Sequence, residues 1–182
     1  PCDIVLSDDG LQHYRLHRDI EIAVVDAVRG LGNGRTLPSG PLREPSSRLS
    51  QVDFVVLNGA GSAFSVEIGS AKAHKVELQA VGLRNMVSNQ LVPVDEWKDG
   101  TKVHAVCGIG HPERFAQTLE HLGFEVILNA VNDHQYLTGE DIEFGDQLPV
   151  IITAKDAVKY TDAASSNLWV LEVQMPISND FV

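Results

Sequence analysis

The chain has 182 residues, 43% of them hydrophobic, 21% charged and 6% aromatic, and a formal net charge of −11 at pH 7. That composition suits one globular domain or two small lobes and excludes a disordered chain. The acidic balance argues against sequence-independent binding to nucleic acid, and no apolar stretch reaches the length that spans a bilayer.

The first apolar run, residues 3–7 (DIVLS), reads as a strand that ends in two adjacent carboxylates, Asp8 and Asp9. Pro1 already stands at the edge of this run, where a natural start rarely falls, and we read the chain as a piece of a longer protein. A polar crossing leads to a second strand over 21–26 (EIAVVD), nearly continuous in apolar character, as strands covered on both faces are. Residues 27–44 hold four glycines and two prolines and form a long loop, of a kind that usually carries function. Arg29, Arg35, Arg43 and Arg48 lie in or beside it against the single acid Glu44, which makes it either an anion-facing surface or a solvated loop. A short helix is expected near 44–50, and a third strand over 53–58 (DFVVLN) stops at Asn58-Gly59.

Residues 74–88 alternate like half-exposed antiparallel strands. A boundary is placed near 90–102, dividing the chain into a core over 1–73, a strand-rich connection over 74–101 and a second α/β lobe over 102–182. In that lobe a strand over 102–110 enters a glycine turn. A helix follows over 111–124, with Pro112 in its first turn and Gly123 at its end. Strands over 125–131, 149–156 and 168–175 and a short helix over 138–145 complete an α/β pattern with mostly parallel sheet. Cys2 and Cys107 form no motif and read as reduced thiols.

In open parallel sheets, ligands bind beyond the carboxyl ends of the strands. Carboxylates at such an end suit Mg²⁺, which takes oxygen ligands and keeps several waters beside substrate phosphates. The bland alternative is a turn in which an Asp caps the next helix. Side chains of neighbouring residues in extended chain point opposite ways, so both acids serve one ligand only if the chain turns there, as Gly10 would permit. The "GIGHPERF" stretch, 108–115, is either an anion-binding turn or the glycine that any strand-to-helix connection needs. Lys155 either reaches a phosphate or stands in solvent.

The string from Asp8 to Leu49, with DDGLQH at its start and LPSGPLRE at 37–44, resembles the tetraacyldisaccharide 4′-kinases. The resemblance continues through 52–59, 108–115, "DHQ" at 133–135 and "TAKDAVK" at 153–159, in the same order. It implies a P-loop-kinase-like, mostly parallel sheet, incomplete on its N-terminal side, with a second, smaller α/β lobe. It implies transfer of the ATP γ-phosphate, with Mg²⁺, to the 4′-hydroxyl of a lipid A disaccharide 1-phosphate precursor. Asp8 and Asp9 then match the metal-binding and catalytic carboxylates, with Gln12 and His13 as active-site neighbours. Asp133 and His134 border the nucleotide, Asn58 either borders it too or simply makes a turn, and Arg43 and Glu44 meet the substrate, unless Arg43 and Glu44 merely pin the loop. The partners implied are ATP, the lipid precursor and the anionic inner-membrane surface, met through an upstream segment on its cytoplasmic face; nucleic acid is not among them.

Two departures stand out. The family's G-x-x-x-x-G-K-[ST] loop lies upstream of DDGLQH and is absent from these residues, so the chain alone is expected to be inactive. Ala154 replaces an acid usual in the family. The rival readings are a degenerate, non-catalytic relative that binds nucleotide or metal, and a metal-dependent hydrolase built on Asp8, Asp9, His13 and His134.

Overall fold

Apolar runs set the sheets. The computed structural model describes residues 2–59, 72–132, 135–160, 162 and 165–177. The chain forms two compact units, one of Pro1–Leu78 with Met175–Val182 and the other of Gln79–Gln174.

The first unit holds a three-stranded parallel sheet in the order β1 (Ile22–Asp26), β2 (Phe54–Asn58), β3 (Lys72–Val76). One face of β1 and β2 presents Ala23, Val25, Val55 and Leu57 to a core completed by Ala27, Leu49 and Val52, with Leu11 and Leu31 against it. The long loop is bonded within itself: the Leu37 N–H donates to the Leu42 carbonyl at 2.8 Å, and the Asn33 amide donates to the Ser39 carbonyl. The Leu37–Pro38 peptide is cis. The short helix expected near 44–50 is a 3₁₀ turn over Ser46–Ser50 that buries Leu49.

The run at 3–7 is not a strand. Ile4, Val5 and Leu6 are 75%, 81% and 91% exposed. An extended segment becomes a strand only when a neighbour takes its N–H and C=O groups, and none of the described residues pairs with this one.

The second unit is a six-stranded mixed sheet in the order β5-β4-β9-β8-β6-β7, with β4 at Gln79–Asn85, β5 at Leu91–Val92, β6 at Lys102–Cys107, β7 at Glu125–Ala130, β8 at Val150–Thr153 and β9 at Leu168–Gln174. Strands β7, β6, β8 and β9 run parallel; β4 is antiparallel to β9 and β5. Both faces of β6 are covered, and every residue from Val103 to Cys107 is buried, His104 included. Val103, Ala105 and Cys107 meet Phe115 and Leu119 of helix α1 (Pro112–His121). Val106, on the other face, packs with Leu137, Ile142, Ile152 and Val170, Ile142 ending the short helix α2 (Gly139–Ile142). Pro112 opens α1, and Gly123 beyond its end has φ +93°, a conformation that favours glycine.

The expected antiparallel segment 74–88 is split. Its first part is β3, parallel to β2, and its second is β4 in the other sheet, so the division falls at Leu78/Gln79 and not within 90–102. The expected strand 149–156 also divides: β8 stops at Thr153 and Ala154–Ala157 form a turn of helix, α3, because the Thr153 hydroxyl accepts the Asp156 N–H. No helix among the described residues is long and apolar enough to cross a membrane.

Candidate active site

The double aspartate sits on a turn. Asp9 adopts φ +53°, the left-handed conformation that Asp tolerates better than most residues, and Gly10–Gln12 follow as a single 3₁₀ turn. The chain reverses at Asp9 itself, so the opposite-facing geometry of extended neighbours does not apply to this pair. Gly10 is buried, and a Cβ there would strike the Ser7 side chain. Leu11 anchors the turn against the core of the first unit. Asp8, Asp9, Gln12 and His13 are exposed.

The turn is held from behind by Arg18. Its Nη1 donates to the Gly10 carbonyl at 2.6 Å and to the His13 carbonyl at 3.2 Å. Its Nε pairs with Glu21 Oε1 at 2.7 Å. Glu21 also takes both of its oxygens to Arg48 Nη2, at 2.9 and 2.8 Å. Arg48 Nε lies 3.5 Å from Glu44 Oε2. The hydrogen bond that Arg48 donates to Glu21 is the main cause that raises its guanidinium above the ordinary value, and a hydrogen bond with Glu44 lifts the Tyr14 hydroxyl.

The structure brings Arg43 to the acidic turn. Its Nη1 is 3.8 Å from Asp9 Oδ2, both side chains open to solvent. Glu44 turns the other way, into the half-buried run with Arg48, so Arg43 and Glu44 do not pin the loop by pairing with each other. Asn58 ends β2 in register with Asp26, at the carboxyl edge of the sheet, where Asp26 Oδ1 accepts the N–H groups of Val28 and Arg29. Asp133 and His134 lie outside the described residues.

In the second unit the Gly108 N–H donates to Asp156 Oδ2 at 3.3 Å. That oxygen also takes the Thr153 hydroxyl at 2.6 Å. Ala154 is exposed at the start of α3, so the Thr153–Asp156 cap forms without an acid at that position.

Arg18 and Glu21 were not among the residues singled out from the sequence, and Arg48 entered only as one of the arginines in or beside the loop. Their signal was present in two charge spacings, Arg18 with Glu21 three apart and Glu44 with Arg48 four apart, which place side chains within reach wherever the chain coils.

A model of the tetraacyldisaccharide-1-P 4′-kinase family, LpxK, matches residues 1–182. The chain belongs to this family. Among LpxK relatives, the tetraacyldisaccharide 4′-kinase of Stutzerimonas stutzeri (strain A1501) is 46% identical over all of this chain and 53% of its own length. That of Pseudomonas fluorescens (strain SBW25) is 47% identical over 99% of this chain and 52% of its own. The crystal structure of an "apo" form of LpxK from Aquifex aeolicus in complex with ATP superposes with a TM-score of 0.70 at 26% identity, covering 94% of this chain and 52% of that one. The chain spans about half the length of the LpxK relatives it matches.

Proposed function

We propose that this chain supplies the acidic turn and the substrate-facing loop of a kinase that transfers the ATP γ-phosphate to the 4′-hydroxyl of the tetraacyldisaccharide 1-phosphate precursor of lipid A. The observation that carries this reading is the turn at Asp9, which presents two exposed carboxylates beside Arg43 in a chain of the LpxK family.

The donor set fits Mg²⁺: two hard carboxylates open to water, with room for substrate phosphates. Among the described residues no three His, Cys, Asp or Glu side chains form a metal-holding group, and His134, on which the metal-dependent hydrolase also rested, lies outside them. Bound there, Mg²⁺ would neutralise charge on the transferring phosphoryl group. The chain's own part is positioning. One of Asp8 and Asp9 would hold the ion's shell, and the other would orient the acceptor hydroxyl. Arg43, an exposed planar cation, suits the anionic end of the lipid. Gln12 and His13 continue the same turn and border the reacting groups. Asn58, Asp133 and His134 are assigned to the nucleotide by family resemblance. The protein acts as a peripheral enzyme at the cytoplasmic face of the inner membrane, and this half-length chain is inactive without a phosphate-binding loop.

The test is phosphate transfer to the lipid disaccharide by the full-length kinase, with ATP and Mg²⁺. Asp8→Ala and Asp9→Ala each lower kcat by about two orders of magnitude or more. Near-normal turnover in both would reject the reading in favour of a degenerate relative whose turn is structural.

A further inference from the structure

Three charged side chains beneath the site have no part in the chemistry proposed above. Arg18, Glu21 and Arg48 are only 16%, 15% and 14% exposed. Charges removed from water to this degree are costly unless each finds a partner. Here the Glu21 carboxylate receives both arginines, and the arginines spend their remaining reach on two different segments. Arg18 reaches the backbone of the acidic turn at Gly10 and His13. Arg48 reaches Glu44, next in sequence to Arg43. The run is therefore continuous from the turn that carries Asp8 and Asp9 to the segment that carries Arg43.

The turn and the loop also meet directly, through Asp9 and Arg43. That contact is long, at 3.8 Å, and exposed on both sides. Exposed pairs of this kind fix little, because solvent screens them and both side chains keep their freedom. Within the half-buried run the contacts of Arg18 and Arg48 with Glu21, and of Arg18 with the Gly10 carbonyl, are short and charge-assisted and set direction as well as distance, while Arg48 meets Glu44 as a half-buried ion pair at 3.5 Å. The run is the element able to set how closely the two segments approach.

We propose that Arg18, Glu21 and Arg48 are positioning residues that lock the Asp8–His13 turn and the Arg43–Glu44 segment into one frame, which keeps the metal side of the site at a fixed spacing from its substrate-anion side. This deepens the kinase reading and rests on it. The frame acts through other groups: it touches neither metal nor substrate, so its loss misplaces carboxylates and Arg43 together.

The test uses the full-length kinase. Arg18→Lys keeps the positive charge beside Glu21, but one ammonium lacks the planar fork that spans Glu21 and two carbonyls. It is expected to lower kcat by about ten- to a hundred-fold and to raise both the Mg²⁺ requirement and the lipid KM by several-fold. Glu21→Gln, which leaves two arginines facing a neutral hub, changes the same parameters further; where it fails to fold, Arg18→Lys decides alone. Arg84→Gln is the control. It breaks a short but more exposed ion pair to Glu172 in the other unit and leaves the Mg²⁺ and lipid requirements at wild type. If Arg18→Lys lowers thermal stability but keeps wild-type kcat, Mg²⁺ requirement and lipid KM, the residues are structural and the inference is overturned. Asp9→Asn is measured in parallel: an inactive Asp9→Asn beside a wild-type Arg18→Lys overturns this inference alone, whereas a fully active Asp9→Asn overturns the kinase reading of the turn and the frame with it.

Discussion

His104 Nε2 lies 3.0 Å from Asp146 Oδ2, and its Nδ1 lies 3.1 Å from the Asn129 amide nitrogen. An amide nitrogen only donates, so Nδ1 accepts and the proton sits on Nε2, aimed at the carboxylate. Phe144 stacks on the ring, centroids 3.8 Å apart, and fixes its plane.

A pH dependence follows. The hydrogen bond from His104, and after it the one from the Leu148 N–H, hold the Asp146 carboxyl below its ordinary value of 3.8. A depressed carboxyl contributes stability that is present above the ordinary carboxylate range and is lost as pH falls through the folded-state value. Asp146→Asn is therefore less stable than wild type at neutral pH, and the gap closes as pH falls through the lowered folded-state value of the carboxyl. Urea midpoints across the acid range measure it; a gap that stays constant with pH would exclude the carboxyl as its source.

Leu119 is fully buried between α1 and the sheet. Leu119→Ala leaves a cavity there and costs about 2–5 kcal/mol of stability. Chemical denaturation checks the value, and a loss well under a kilocalorie would mean that the helix collapses onto the sheet.

Thr153 both accepts from the Asp156 backbone and donates to its carboxylate, whose other oxygen, Oδ1, is buried with no partner among the described residues. Thr153→Ala removes a cap and one of the two donors to that buried carboxylate, a loss of about 2 kcal/mol or more. Thr153→Ser keeps the hydroxyl and most of the stability. Equal losses in the two variants would assign the effect to the methyl group.

Burial, with Asp156 and then Glu113 nearby, pushes the Cys107 thiol up to about 11. Cys2 is exposed. The thiolate is the nucleophile, so iodoacetamide at about pH 8 adds once, at Cys2, to the native protein and twice after unfolding. Peptide mass mapping reads the difference; prompt native labelling of Cys107 would contradict its burial.

Arg43 is free of the half-buried frame. Arg43→Gln raises the lipid KM of the full-length kinase by about ten-fold and leaves the ATP KM unchanged. An unchanged lipid KM would reduce Arg43 to its contact with Asp9.

The sequence made the second unit plain where local pattern and burial agree. The run of β6, apolar from Val103 to Cys107 but for His104, the helical spacing of Phe115, Leu119 and Leu122, and Pro112 at the start of α1 all state their surroundings. It misread residues 3–7 because apolar character records a preference for extended chain and not the presence of a neighbour. It misplaced the boundary because strands β3 and β4 follow one another with only Glu77 and Leu78 between them, and no glycine or proline marks the change of sheet. At the site, DDGLQH named the carboxylates, but the left-handed turn at Asp9 depends on its fit over Leu11 and Ser7. The Arg18–Glu21–Arg48 run joins residues up to 27 apart through side chains, which no periodicity reports.

Gln79 and Gln174, the first and last residues of the second unit, are partners in the β4–β9 ladder. Antiparallel partners lie about 5 Å apart at Cα. To the chain of the first unit, the whole inserted unit is therefore a stitch no wider than a hairpin. Once folded, it adds almost no loop-closure entropy to the host. A gene could lose or exchange the insert at those two positions, with a tight turn as the splice, and leave the spacing of the host's own segments intact.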